Sequence, residues 1–348
     1  KPCGDGLTPR AIAELHHLGL SPWLGGRARN WGLRAAGFGQ ELYLPWPGGS
    51  LPRNGGAAPR LELDAEIRKV ALDSGVTARE GLRAVDVRME GGQVRAVRFA
   101  TGVGRLAEHQ EITCRRLVVA DGARSQLGRV LGRTWHRSTA YGVAARAYIK
   151  SHRSDDPWIS SHLELRGEQG EILSGYGWVF PLGDGEVIVG VGTLATEKHP
   201  ADVNLRGLLG HYAEAQRDAW QLEGDIRAPW SALLPMGGAV SGVAGANWIL
   251  VGDAAGCVNP LNGEGIDYGL ETGRLAAQVL ANTIPNRQLN YANQWAPMLR
   301  DRYGTAFSIA RRLAGFLTLP GLLPTLGPVG MRSRSLMTVA LRVMGNLV

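Results

Sequence analysis

Lysine is nearly missing from this chain: only Lys1, Lys69, Lys150 and Lys198 occur among its 38 basic residues. With abundant Ala and Gly, that bias reads as a GC-rich genome more than as a functional choice. Cysteine is also scarce. Cys3, Cys114 and Cys257 are scattered, no pair has metal-site spacing, and an odd count argues against a disulfide framework. That fits a reducing compartment. No Ser/His/Asp triad is evident, and His16 and His17 are expected to face solvent on their helix. An initiating Met is lacking too, so the 348 residues read as a fragment that opens inside a Gly-rich motif, and a missing signal peptide carries no weight.

What is present points to an α/β protein of one or two domains. Its 49 glycines suit many tight turns. The net charge of +7 is uneven: from Arg300 onward there are seven arginines and one acid, Asp301, so the rest is close to neutral.

Residues 8–18 carry a Thr N-cap, Pro in the first turn and a terminating Gly19, which predicts a helix. Apolar spacing predicts another over 61–74, ending at Gly75. The runs 83–89 and 94–100 alternate around a Glu-Gly-Gly-Gln turn, as a hairpin would. Short buried strands are expected at 116–120 and 248–252, short strands and turns over 31–53, and a strand-rich stretch over 140–194. Helices are expected near 203–221 and 265–281. A nucleotide-binding layer interrupted by a sheet-based domain follows from that order.

Three blocks carry the chemistry. In WILVGDAAGCVNPLNGEGIDYGLETG (248–273), a strand delivers Gly252 and Asp253 at its carboxyl end, where open α/β sheets bind ligands. Asp253 can accept from ribitol hydroxyls. Pro260, Gly263 and Gly265 form a bend without side-chain bulk, so backbone N–H groups can approach a flat ring. The helix beyond Glu264 and Ile266 would aim its positive end at that ring. In LVVADGARSQLGRVLG (117–132), Asp121 and Gly122 follow a strand in the same way. The third block opens a helix at Arg60. Here Asp64 pairs with Arg68 on a solvated face, or Arg60 reaches the cofactor from a rigid start.

In this order the blocks resemble the p-hydroxybenzoate-hydroxylase-like flavoproteins. Two stretches narrow the resemblance to the geranylgeranyl reductase family, close to the actinobacterial menaquinone reductases within it. KPCGDGLTPRA (1–11) is similar to a motif that sets a cysteine beside the isoalloxazine. GYGWVFPLGDGEVIVGVG (175–192) is similar to a Tyr-x-Trp-x-Phe-Pro motif followed by Gly-x-Gly. The family often has Asn before Gly-x-Gly, where this chain has Ile188.

The resemblance implies an FAD-binding layer from 1–30, 54–133 and 231–284, a β-rich substrate domain from 31–53 and 134–230, and a helical region over 285–348. It implies FAD as cofactor, held by Arg60, Asp121, Gly122, Gly252, Asp253, Pro260, Gly263, Glu264, Gly265 and Ile266. An apolar channel would be lined by Tyr176, Trp178, Phe180 and Pro181. An isolated alkene accepts hydride only as a proton arrives with it, so a proton donor is needed. Cys3 is the first candidate, followed by Tyr268 and Tyr176. The substrate would be an isoprenoid double bond in a polyprenyl lipid, the menaquinone side chain.

The superfamily's opening strand, Gly-x-Gly-x-x-Gly turn and helix are missing ahead of Lys1. Two lookalikes, 102–107 and 190–195, lack the strand–turn–helix context. Without that segment these residues alone are expected to bind FAD weakly or not at all. Residues 313–331 are uncharged, but prolines 320, 324 and 328 exclude one spanning helix. Residues 333–348 form an amphipathic pattern edged by arginine. That suggests a peripheral segment on the anionic cytoplasmic face of a membrane, with a core-packing C-terminal region as the alternative. Arginines interleaved with aliphatics argue against nucleic acid. A monooxygenase or halogenase of the same fold, or an inactive isoprenoid-binding fragment, remain the rival readings, although the halogenase Trp-x-Trp-x-Ile-Pro element is not found.

Overall fold

The computed structural model describes residues 3–102, 108–136, 138–283, 290–319 and 321–347. The chain opens with β1 (Gly6–Leu7), α1 (Pro9–His17) and a helical turn α2 (Ser21–Gly25). Strands β2 (Ala28–Asn30), β3 (Gly32–Gly37), β4 (Gln40–Pro45) and β5 (Gly55–Ala57) lead to α3 (Arg60–Asp73). The meander β6 (Arg83–Glu90), β7 (Gln93–Thr101) and β8 (Glu108–Thr113) precedes β9 (Leu117–Val119) and α4 (Gln126–Val130). Then come β10 (Thr134–Trp135), β11 (Tyr141–Ser151), β12 (Ile159–His162), β13 (Gly175–Pro181) and β14 (Glu186–Ala195). Helices α5 (Leu205–Ala215) and α6 (Arg217–Trp220) are followed by β15 (Leu222–Leu234), β16 (Val240–Ser241) and β17 (Trp248–Leu250). The chain continues with α7 (Ile266–Thr283), α8 (Trp295–Leu317), α9 (Leu322–Arg332) and α10 (Arg334–Met344).

Local chemistry sets the element ends. Thr8 Oγ1 accepts from Ala11 N (3.2 Å) and Pro9 occupies the first turn of α1, whose chain exits through Gly19 at φ 77°. Helix α3 forms as expected but buries only Leu63, leaving Leu61 exposed. Its ion pairs Arg60–Asp64 and Lys69–Asp73 support it instead. The helix expected over 203–221 is two helices, broken at Gln216.

Seven strands form one sheet in the order β15-β11-β14-β13-β12-β3-β4. Its centre obeys the period of two. Odd-numbered residues of β11, β13 and β14 (Ala145, Ala147, Ile149, Val179, Val187, Val189, Val191) pack with Leu208, Leu209 and Tyr212 of α5. Even-numbered residues look to the other side, and the register aligns Arg146 with Gly190 and Gly190 with Trp178. The pair β9–β17 is parallel, Trp248 opposite Leu117 and Leu250 opposite Val119. Strand β15 runs unbroken past residue 230, so the boundary expected there falls inside a strand. Helices α9 and α10 lie against β4, and so the C-terminal region packs on the sheet.

Candidate functional site

Parallel pairing of β9 and β17 brings their carboxyl ends side by side. Val251 N donates to Val119 O (3.0 Å). Beyond it Arg133 ties the two turns, donating from Nε to Ala254 O (2.6 Å) and from Nη2 to Ala123 O (3.2 Å). Burial lowers the pKa of this guanidinium, with the charges of Asp121 and Asp253 opposing. Asp121 shapes its own turn. Its carboxylate accepts from Ser125 Oγ (2.5 Å) and Leu127 N (2.9 Å), while Gly122 takes φ 78°.

The loop after β17 folds back on itself. Asn259 N donates to Glu264 O (2.7 Å), and Gly263, at φ 76°, donates to Asn259 O (3.0 Å). Glu264 accepts from Ile266 N at 2.8 Å, so a carboxylate of the chain itself already sits at the start of α7. The loop is held from the far end of the chain: Asn259 Nδ2 donates to Val343 O (2.8 Å) and Asn262 Nδ2 to Met344 O (2.9 Å).

Against this loop lies a cavity of about 720 Å³, in the range of small-molecule sites. Cys3, Arg60, Asp253, Gly263, Glu264, Gly265 and Ile266 line one end. Tyr176, Trp178 and Phe180 form the sheet side, their rings 5.5 and 6.3 Å apart in sequence. Tyr176 donates to Asn262 O (2.7 Å), fastening sheet to loop. Leu313, Phe316, Leu322, Leu326, Met337 and Leu341 of α8 to α10 complete the lining.

Two glycines permit this arrangement. A Cβ on Gly190 would fall 2.1 Å from the Trp178 indole, and one on Gly6 would fall 2.7 Å from the Phe180 ring.

Six residues named from sequence lie off the wall: Asp121 and Gly122, which stay in their own turn, and Tyr268, Pro260, Gly252 and Pro181. Tyr268 is buried in an aromatic cluster with Tyr303 (5.2 Å) and Phe307 (5.1 Å), which corrects its candidacy as a proton donor. Pro260 is buried beneath the loop, Gly252 donates to Thr272 Oγ1 (3.0 Å) inside the turn, and Pro181 pairs with Val187. Ile188, at the family's Asn position, is fully buried beside Ala57 and Leu182. Asp64 pairs with Arg60 (2.6 Å), while Arg68 pairs with Glu80.

Cys3 Sγ accepts from Asp5 N (3.4 Å). Burial pushes the thiol pKa up, Arg60 opposes, and Asp5 and Glu264 add to the rise, so the sulfur keeps its proton at neutral pH. Burial likewise raises the pKa of Tyr176 and of Glu264. Sequence reasoning missed Asp5, Arg146 and Tyr148, which meet beside Cys3, and the part of α8 to α10 in the wall. Only the even-numbered polar residues of β11 hinted at the former.

Among the described residues no helix is long and apolar enough to cross a membrane, and no cluster could hold a metal.

The menaquinone reductase of Mycobacterium tuberculosis is 59% identical over the whole chain, which covers 82% of that protein. Digeranylgeranylglycerophospholipid reductase 2 of Methanopyrus kandleri is 28% identical over 89% of this chain and 75% of its own. Among solved structures, a geranylgeranyl bacteriochlorophyll reductase-like protein from Thermoplasma acidophilum superposes with TM-score 0.69 at 19% identity, covering 98% of this chain and 81% of that one. A flavin-dependent brominase gives TM-score 0.72 at 18% identity, over 99% and 83%. The fold, with its paired strand ends and turns, is thus the one that these two solved structures share, the p-hydroxybenzoate-hydroxylase-like fold. The chain belongs to one family with the menaquinone reductases, and residues 63–316 match the family described as lycopene cyclase protein.

Proposed function

We propose that this protein is an FAD-dependent reductase that hydrogenates an isoprenoid double bond, acting on the side chain of menaquinone. The observation that carries the reading is one apolar cavity that ends at the Cys3 thiol and a glycine-rich loop on paired strand ends. Lycopene, menaquinone and digeranylgeranyl lipids share one chemical element, a polyisoprenoid chain, and the cavity wall suits such a chain.

The residues present fit the ring-bearing end of FAD. Gly263 and Gly265 leave the loop without bulk, and Asp253 and Arg60 border the same end of the cavity. Bound and reduced, FAD supplies the hydride. The chain's own residues do the rest. Trp178 and Phe180 seat the alkene, the helical wall excludes water, and the Cys3 thiol gives a proton at the second carbon. We assign residues 1–30, 54–133 and 235–284 to the FAD layer, with β15 wholly in the sheet domain.

Leu313, Phe316, Leu326 and Leu336 belong to the cavity wall and are also exposed, so the cavity opens through an apolar patch. Exposed Arg312, Arg332, Arg334 and Arg342 border it. That arrangement suits docking on an anionic leaflet at the cytoplasmic face of a membrane, from which a lipid tail can enter. At about 1 kcal/mol per basic residue, reversing Arg312, Arg334 and Arg342 to Glu should weaken sedimentation with anionic vesicles by at least about 100-fold. Binding to neutral vesicles should change little.

The reading is tested with the full-length protein, menaquinone and a reductant, followed by mass analysis of the tail. Gain of two hydrogens supports it. Gain of oxygen or halogen would assign the protein to a monooxygenase or halogenase instead.

A further inference from the structure

A dry alkene site needs a proton for each turnover, yet water admitted through the cavity would undo its dryness. Asp5 lies beside that problem. It is fully buried, holds a left-handed backbone at φ 57°, and donates its N–H to Cys3 Sγ (3.4 Å). One carboxyl oxygen, Oδ2, accepts from Tyr148 OH (2.5 Å), whereas buried Oδ1 has no hydrogen-bond partner. An unpartnered buried carboxylate oxygen costs free energy that a neutral carboxyl avoids. Tyr148 is half-buried but not part of the cavity wall. The carboxyl thus bonds the phenol and acts electrostatically on the sulfur that its own backbone N–H touches, so the three groups form a file from the cavity end to a residue outside the cavity wall.

We propose that Tyr148 and Asp5 form a proton relay that re-protonates the Cys3 sulfur between turnovers without admitting water to the cavity. The proposal rests on the reductase reading. In each cycle one alkene carbon takes hydride from the reduced flavin and the other takes the thiol proton, leaving a thiolate. The Asp5 O–H bond then breaks and an S–H bond forms. The Asp5 carboxylate takes the Tyr148 proton as Tyr148 takes one from solvent. Two electrons come from the flavin, and one solvent proton is consumed.

The groups facing this file are Arg60 from α3, Arg146 from β11, and Glu264, which acts on Cys3. Arg146 Nε donates to Cys3 O (3.0 Å), and its guanidinium stacks 4.5 Å from the Tyr148 ring, so it fixes the file's geometry. Burial raises the Asp5 carboxyl pKa, against the Tyr148 hydrogen bond and the two guanidiniums.

Two measurements on the full-length protein decide the matter. In the reduced holoprotein without oxygen, Asp5→Asn should complete its first turnover near the wild-type rate, since the thiol proton is already present. Its steady state should then fall about 100-fold, the scale of a lost proton transfer. Tyr148→Phe should show the same split, and Cys3→Ala should lose the first turnover as well. In the flavin-free protein, Cys3 alkylation by iodoacetamide, located by mass spectrometry, should follow a two-step pH profile. Asp5→Asn should make it a single step at lower pH.

Equal slowing of first and later turnovers in Asp5→Asn would reduce the residue to a structural part and overturn the relay, as would an unchanged alkylation profile. If the wild-type holoprotein reduces no alkene, the reductase reading fails. The alkylation profile then still decides whether Asp5 and Cys3 are coupled.

Discussion

Alanine at Gly190 is expected to lower turnover about 100-fold or more while the protein stays folded. The added Cβ would sit 2.1 Å from both Cε2 and Cζ2 of Trp178. Neither backbone can give way, because Gly190 is paired on both sides, with Arg146 of β11 and Trp178 of β13. The neighbouring Val189 and Val191 are locked in the core on the other face. The indole must therefore leave its seat, and the space open to it is the cavity.

Overpacking of this kind costs about 1–3 kcal/mol, which a core of this size can absorb. Displacing a substrate-positioning ring by about 1 Å costs about 100-fold in rate. Steady-state rate and thermal unfolding, measured together, separate the two effects. A second substitution, Trp178→Phe, made in the Gly190→Ala background should recover part of the rate, because the smaller ring no longer meets the new methyl. The Gly6→Ala change belongs to the same class, acting on Phe180.

Alanine at Glu271 should act on stability instead. This α7 carboxylate is buried, accepting from Arg302 Nε (2.9 Å) and Tyr303 OH (2.8 Å), with Arg10 at 3.6 Å and Arg274 at 3.9 Å. It joins the helix that follows the glycine-rich loop to α1 and to α8, part of the cavity wall. Removing one member of a buried ion network typically costs about 3–5 kcal/mol. Here Arg302 and Arg274 are partly exposed and can turn to water, leaving the Tyr303 hydroxyl and Arg10 as the main losses. The expected cost is therefore near the lower bound, about 3 kcal/mol. Chemical denaturation of Glu271→Ala and Glu271→Gln measures it, and glutamine should lose less because it keeps an acceptor for Tyr303.

Much of this architecture is legible in the amino-acid order, for local reasons. Thr8, Pro9 and Gly19 bound α1 by capping and turn chemistry that act within a few residues. The two strand-to-turn blocks announce themselves because Asp-Gly and Gly-Asp end short apolar runs. Their adjacency could be expected only from the resemblance, since the pairing of Leu250 with Val119 joins residues far apart in the chain.

Other features depend on register or on tertiary packing. Asp5 meets Tyr148 only because β11 places its even-numbered residues toward the N-terminal segment. Nothing local says so. The leucines and methionines of α9 and α10 read equally as lipid-facing or sheet-facing, and the structure uses them both ways: Met331 and Met337 are buried against β3 and β4, Leu336 and Val339 exposed. Tyr268 is a proton-donor candidate by residue type, but the turn of α7 carries it into the core.

The account stands or falls on whether an isoprenoid tail itself oxidises the protein-bound flavin. The direct test mixes the reduced full-length holoprotein with menaquinone carrying an already reduced ring, without oxygen, and follows flavin absorbance. The account predicts reoxidation in step with loss of one tail double bond. Flavin that stays reduced until oxygen is admitted, with an intact tail throughout, would contradict it.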